Sequence, residues 1–202
     1  TQQTVNFTIE KNTIGIAGGA FRGYMGTGQL TLGGTDNRTL KYICDSAFAL
    51  NYWSSIAGLE YTQIKTIGST AFNNCSNLSG TIRLPNTIES IGAKAFVNAK
   101  ISSLAIDQDT TRTTKCTIGQ EAFLNCSSLS GTLNIPTYVS EIGINAFRQT
   151  ALTKDAYGVV YSSEGKIGFN KWCIGEIDRA LPFNYLELDC NTIQAKTGNG
   201  LA

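Results

Sequence analysis

Apolar and polar positions follow one pattern that returns along most of the chain. The stretch from Ile67 to Pro85 reads IGSTAFNNCSNLSGTIRLP, and it returns from Ile118 to Pro136 as IGQEAFLNCSSLSGTLNIP. A fixed internal period of this kind predicts a solenoid. The hexamer I-G-x-x-A-F marks the coils, with clean, weaker or degenerate copies that start at Ile16, Ile43, Ile67, Ile91, Ile118, Ile142 and Ile167.

The steps between these starts are 27, 24, 24, 27, 24 and 25 residues. They predict an α/β solenoid of about seven coils of 24–27 residues. One aromatic side chain per coil falls in the same register, so we expect these rings to stack in a line inside the solenoid. The aromatic residues are Phe21, Phe48, Phe72, Phe96, Phe123, Phe147 and Trp172.

Each coil is predicted to contain a short strand, a second short extended run, and a short helical or 3-10 turn at the A-F pair. In the third coil Ile82 and Leu84 alternate with Thr81 and Arg83, which is the period of a strand with one buried face. Gly92 is expected to allow a tight corner, because glycine adopts backbone conformations that other residues avoid.

We expect a single solenoid over residues 1–202. An N-terminal cap strand is predicted over residues 1–15, repeats over 16–167, and a degenerate last coil with a C-terminal cap over 168–202. The cap strand follows from the alternation of Val5, Phe7 and Ile9 with polar residues. The polar run from Asp107 to Lys115 is interpreted as a corner loop.

The composition excludes several classes of function. The net charge is +1 and no Lys/Arg run occurs, which argues against a nucleic-acid partner. No apolar stretch reaches the ~18 residues of a membrane span. The first residues lack the features of a signal peptide, which we expect to have been removed from an exported protein. The chain has no histidine, which excludes Ser-His and Cys-His catalysis, and we therefore do not expect enzymatic activity.

The six cysteines contain no C-x-x-C pair, which argues against a zinc site or a redox motif. Cys75 and Cys126 share one repeat register and are predicted to be reduced core residues, as is expected of most of the thiols. An even count leaves one bridge near Cys173 and Cys190 as the alternative. Cys116, beside Lys115, is considered as a reactive thiol with a lowered pKa, against the simpler interpretation of a structural residue.

The pattern I-G-x-x-A-F-x-N-C-S-x-L-x-x-x-[IL]-x-[IL]-P resembles the BspA-type, or treponemal, leucine-rich repeat, over about residues 43–168. The resemblance implies a leucine-rich-repeat solenoid, wound as a right-handed superhelix, in a bacterial surface or secreted protein, often lipid-anchored. It also implies adhesion to a protein or glycan ligand, which in several members comes from a host. The family brings no catalytic residues and no cofactor.

The concave strand face is the expected binding surface, through the residues between the inward positions. Arg83 and Glu60 are the best anchors, since adjacent coils would place them one strand spacing apart. The simpler alternative is a solvated face with one weak cross-strand ion pair. The candidate ligand-binding residues are Glu60, Thr81, Arg83, Ser103, Thr132 and Asn134, with Gln29, Thr31 and Ala105 on the same face.

Other candidates carry a structural and a functional interpretation. Tyr52 and Trp53 could form an exposed recognition patch, but covering the core at a long corner is favoured. Three acidic residues could suggest calcium, although the spacing of a calcium loop is missing and a plain polar corner is favoured. Three asparagines in one register are expected to bond backbone groups of neighbouring coils, and the sequons that begin at two of them are placed in the repeat core. The acidic residues are Asp107, Asp109 and Glu121, and the asparagines are Asn74, Asn98 and Asn125.

The sequence therefore leaves two hypotheses for the function. The first is a non-enzymatic recognition or adhesion module at the cell surface, which would bind its ligand through the strand face or the corner loops. The second is a structural spacer or cap within a larger surface protein, with no ligand of its own.

Overall fold

The structure is a computed structural model that describes residues 4–32, 39–107, 109, 111–131, 133, 135–136, 138–143, 145–152 and 168–169. Within these residues the chain forms a parallel β-solenoid, which confirms the predicted fold. Its strands are β1 (Phe7–Thr8), β2 (Gly15–Ile16), β3 (Gln29–Thr31), β4 (Tyr42–Ile43), β5 (Ser55–Ala57), β6 (Thr66–Ile67), β7 (Ser79–Leu84), β8 (Ser90–Ile91), β9 (Lys100–Ile106), β10 (Cys116–Ile118), β11 (Ser130–Gly131), β12 (Val139–Ile142), β13 (Ala151–Leu152) and β14 (Gly168–Phe169).

Two faces of the solenoid are built differently. The even-numbered strands form one continuous parallel sheet in the order β14-β12-β10-β8-β6-β4-β2. The odd-numbered strands form the strand face, which is divided into three parallel sheets, β1-β3-β5, β7-β9 and β11-β13. In the described part of the chain the single helix is the 3-10 helix Leu59–Tyr61, and no helix there could cross a membrane.

The predicted column of aromatic rings is confirmed for the six described phenylalanines. Consecutive ring centroids lie 5.0–5.3 Å apart, and the planes differ by at most 14°. Phe7 closes the first end of this column edge-on, with its ring 5.0 Å from that of Phe21 at 66°. The stack follows from the parallel pairing, because each coil places the same side chain one strand spacing above the last.

The stretch from the repeat Ile to the residue eight positions later, here called the arch, differs from the predicted helical turn. Its backbone forms successive turns, and alternate N–H groups bond to the next coil instead of to their own. Phe72 N, for example, donates to Ala95 O at 2.7 Å. Backbone that bonds between coils cannot also complete the i→i−4 ladder of a helix. Two positions of every described arch have positive φ, occupied in the third coil by Thr70 and Asn74.

The glycine of the repeat has a different role from the predicted one. Gly92 does not adopt a positive φ; instead, a Cβ on it would lie 2.4 Å from Ser69 N of the preceding coil. The equivalent Gly68, Gly119 and Gly143 would meet backbone atoms at 2.4–2.6 Å. Glycine is therefore required by the close approach of two coils rather than by the corner.

The last described strand corrects the register of the seventh coil. β14 pairs Phe169 with Ile142, so the ladder position is held by Phe169 and not by the predicted Ile167. Trp172, Cys173 and Cys190 lie outside the described residues, and so do nearly all of the predicted C-terminal cap and the predicted pairing of the last two cysteines. At the other end β1 pairs with β3 in parallel. The division into caps and repeats stays a prediction.

Candidate functional site

The strand face is interrupted where the second coil carries extra residues. β5 ends at Ala57, and Gly58 takes a left-handed conformation with φ +81° that turns the chain out of the strand. The 3-10 helix Leu59–Tyr61 follows and ends at Thr62, whose hydroxyl donates to Leu59 O at 2.7 Å. Only Ser54 and Ser79 keep a strand-like bond across this gap, through Ser79 N and Ser54 O at 3.0 Å.

This interruption leaves a hollow of about 320 Å³, here called the strand-face notch. Its apolar floor comes from Leu59 and Ile82, which are buried, and from the half-buried Ile56. The polar rim carries two charges, a phenol and a hydroxyl. The rim residues are Glu60, Tyr61, Thr81 and Arg83.

The predicted cross-strand ion pair between Glu60 and Arg83 is not formed. Glu60 lies on the 3-10 helix, and Arg83 is in register with Ala105 of β9. Both nevertheless line the notch, and neither makes an ion pair or side-chain hydrogen bond with another described residue. The physical reason is the Gly58 turn, which removes Glu60 from the strand before it can face β7.

The other predicted residues of the strand face point away from the core, as strand alternation predicts, wherever the structure describes them. Thr81 and Arg83 are exposed, and Thr81 is in register with the half-buried Ser103. Gln29 donates through its side-chain amide to Ser55 Oγ at 3.2 Å. Thr132 and Asn134 lie outside the described residues, so their place on this face stays a prediction.

Tyr61 is the notch residue that the sequence analysis missed. Its side chain is 49% exposed, at the end of the 3-10 helix. Strand alternation after the inward Leu59 predicts that Tyr61 also points inward, which is not where the structure places it. The signal that could have found it is Gly58, the residue at which alternation stops.

The aromatic residues of the second coil have the structural role that was favoured. Trp53 is 1% exposed, and its ring stacks on Tyr24 with a centroid distance of 4.9 Å. Tyr52 is half-buried. The pair therefore covers the core at the long corner and does not form an exposed recognition patch.

A second hollow of about 380 Å³, here called the corner cleft, lies beside the loop that follows β9. Arg112 holds this loop in place: its Nε donates to Thr114 O at 2.8 Å, and its two terminal nitrogens donate to Asn86 O and Ile88 O. The guanidinium also lies 4.1 Å from the centre of the Tyr138 ring. The cleft is lined by Lys65, Asn86, Thr87, Glu89, Asp109, Thr111, Arg112, Thr113 and Thr114.

The three acidic residues considered for calcium do not come together. Asp109 accepts hydrogen bonds from Thr111 N and Oγ1, and these bonds lower the pKa of its carboxyl group. Glu121 pairs with Lys94 at 3.4 Å. Across the described residues there is no group of three or more His, Cys, Asp or Glu side chains that could hold a metal ion. The described residues 109 and 111–115 are all polar, and most of them are exposed.

The asparagines of the arch form a ladder that was not foreseen. Asn98 Nδ2 donates to Asn74 Oδ1 at 2.5 Å, and Asn125 Nδ2 donates to Asn98 Oδ1 at 2.6 Å. Asn74 and Asn125 are exposed rather than in the core, which corrects the placement of both sequons. Asparagine suits this register because it tolerates the positive φ of 57–63° that these residues adopt.

The described cysteines are all free thiols, and three of the four are buried. Cys75, Cys116 and Cys126 are buried and reduced as predicted, whereas Cys44 is exposed. Burial raises the pKa of Cys116 to about 11, so the considered lowering of its pKa is wrong. Cys75 and Cys126 also donate to the carbonyl oxygens of Phe48 and Phe96, at 3.1 and 3.0 Å.

Comparison with known families gives a match over most of the chain. The family model described as BspA type leucine rich repeat region matches in six copies, over residues 1–115 and 41–157. Proteins with these repeats are commonly found on bacterial surfaces, and their solenoids are typically non-catalytic. No curated protein matches the sequence.

Proposed function

Because the chain belongs to the BspA-type leucine-rich repeat family, we propose that it is a non-enzymatic recognition module of a bacterial surface or secreted protein. It binds a protein ligand at the strand-face notch. The observation that carries this proposal is the pair of opposite charges, Glu60 and Arg83, which line one hollow without pairing with each other. Charges that are not neutralised within the protein remain available to a partner.

The residue types that line the notch favour a protein as the ligand. Tyr and Arg are the residue types that most often dominate binding energy at protein interfaces, and both occur on this rim. The half-buried Ile56 offers apolar surface for an anchor side chain, above the buried Leu59 and Ile82. A protein segment with neighbouring side chains of opposite charge matches Glu60 and Arg83 together.

Charge reversal tests the proposal most directly. The purified chain is screened against extracellular and cell-surface proteins, and hits are quantified by surface plasmon resonance. Arg83→Glu should weaken binding of the ligand at least tenfold, and Tyr61→Ser should weaken it as well. Arg22→Glu is the matched control, because Arg22 is also exposed but lies on an arch, away from the notch.

Two results would contradict the proposal. One is a protein ligand whose affinity is the same for the wild type, Arg83→Glu and Tyr61→Ser. The other is a screen with no protein ligand, which would favour the alternative of a structural spacer. Unfolding by urea, measured for each variant, separates loss of binding from loss of the fold.

A further inference from the structure

The corner cleft is a second preformed site, separate from the strand-face notch. Its outer wall is formed by residues 109 and 111–114, and Arg112 ties this wall to the preceding coil through Asn86 O and Ile88 O. The Tyr138 ring packs against the guanidinium, and its hydroxyl donates a hydrogen bond to Asp107 O at 2.6 Å. A wall held by this many contacts needs little ordering when a ligand binds, which lowers the entropic cost of binding.

The charges that line the corner cleft are already balanced. Lys65 Nζ lies 2.8 Å from Glu89 Oε1, and this contact raises the pKa of Lys65. The Arg112 guanidinium is bonded to carbonyl oxygens, and the Asp109 carboxylate accepts bonds from Thr111. An anionic ligand would meet two carboxylates here, and a cationic ligand would meet two cations. A neutral ligand avoids both costs.

The polar groups of the cleft that are still free to bond a ligand include both hydrogen-bond donors and hydrogen-bond acceptors. One oxygen each of Glu89 and Asp109 accepts no hydrogen bond from the described residues, and the Thr113 hydroxyl and the Asn86 amide donate none. A hydroxyl group can donate and accept at once, so a ligand with several hydroxyls can satisfy such a lining. The volume of about 380 Å³ falls within the range of small-molecule sites.

We propose that the corner cleft binds a neutral, polyhydroxylated ligand, namely a sugar residue, either free or at the end of a glycan. The proposal rests on a polar cleft whose wall is held by Arg112. Its charges are balanced, and both hydrogen-bond donors and acceptors remain free along its lining. The site is independent of the strand-face notch, so it stands or fails separately from the proposed protein ligand.

The test uses the whole chain in two arms. One arm titrates neutral monosaccharides, with inorganic phosphate and an uncharged polyether as comparisons, and follows backbone amide shifts by NMR. The other arm probes an array of immobilised neutral and acidic glycans. We expect a neutral sugar to bind, with the largest shifts in the loop residues Thr111 and Thr113. Binding in the first arm alone identifies a free saccharide, and binding in the second alone identifies a glycan.

Variants locate the binding to this cleft. Asp109→Asn keeps the side-chain oxygen that bonds Thr111 but removes a carboxylate acceptor, and it should weaken sugar binding at least tenfold. Glu89→Gln should act similarly. Glu121→Gln is the matched control, since it also breaks a surface ion pair, with Lys94, but lies outside the cleft. The proposal is overturned if no neutral sugar binds in either arm, if phosphate binds instead, or if Asp109→Asn and Glu121→Gln bind alike.

Discussion

Single residues at the arches are strained wherever a side chain other than glycine or asparagine holds a positive φ. Leu50 has φ +61° and is 43% exposed, in the register that Asn74 and Asn98 occupy in the next coils. A left-handed conformation costs an ordinary residue about 1–2 kcal/mol. The ladder therefore ends at Asn74, because the residue in this register of the preceding coil has no amide to continue the hydrogen bonds.

We expect Leu50→Asn to stabilise the protein by about 1 kcal/mol, because asparagine tolerates this backbone and its amide can extend the ladder. Urea unfolding measures the change. Leu50→Ala is the control, since it removes the exposed apolar side chain but keeps the strained backbone and adds no amide. Equal stabilities of the two variants would show that the ladder register contributes nothing.

The buried thiols predict how stability depends on alkaline pH. Burial raises the pKa of Cys75 and Cys126 to about 12, from 9.0 for an ordinary thiol. Below pH 9 the thiols are neutral in the folded and unfolded states alike, so their stabilisation is fully present. As pH rises from 9 towards 12, only the unfolded state loses these protons, and stability falls by up to about 1.4 kcal/mol per pH unit for each thiol.

The Cys75→Ala, Cys126→Ala double variant should therefore show a shallower loss of stability above pH 9, measured by urea unfolding between pH 8 and 10.5. Alanine fits this register, since Ala99 already occupies it in the coil between them. Removal of the exposed Cys44 provides the control. A double variant with the wild-type slope would show that these thiols ionise freely in the folded protein.

At the scale of the elements, the contact between neighbouring arches is set by backbone and not by side chains. Gly92 N donates to Ile67 O at 2.7 Å, and a Cβ on Gly92 would lie 2.4 Å from Ser69 N. We expect Gly92→Ala to destabilise the protein by about 3 kcal/mol, at the upper end of the cost of overpacking, because only backbone atoms could move to make room.

Thermal and urea unfolding would measure this cost. Gly18→Ala is the matched control, because a Cβ there would lie 3.3 Å from Asp45 O, a contact that a small shift relieves. If both variants lose the same stability, the close approach of the arches does not explain the glycine of the repeat.

At the scale of the whole molecule, the sequence predicts the features that every coil shares, but it does not predict the features of the turns and loops that interrupt the repeat. The ring column and the inward Ile82 and Leu84 were predictable, because identical coils stacked in parallel must align identical side chains. The place of Glu60 was not, since it depends on the left-handed turn at Gly58, which ends a strand without a change of hydrophobic pattern. The corner cleft was missed because the bonds of Arg112 join residues far apart in the chain.

The column also predicts how the molecule loses its structure. Phe96 is fully buried between Phe72 and Phe123, with ring centroids at 5.0 and 5.1 Å, whereas Phe21 near the end of the column is only half-buried. Phe96→Ala should cost about 3–5 kcal/mol, and Phe21→Ala clearly less.

The described strands pair only with strands of the adjacent coils, so stability is expected to be a sum of coil terms and interface terms. Loss of a central ring weakens two interfaces at once and divides the column into two shorter stacks. We therefore expect Phe96→Ala to broaden the urea transition and to lower amide protection on both sides of the gap in hydrogen exchange. Phe21→Ala should lower protection in the first coil alone. A sharp transition in Phe96→Ala, with protection lost uniformly along the chain, would mean that the coils unfold as one unit.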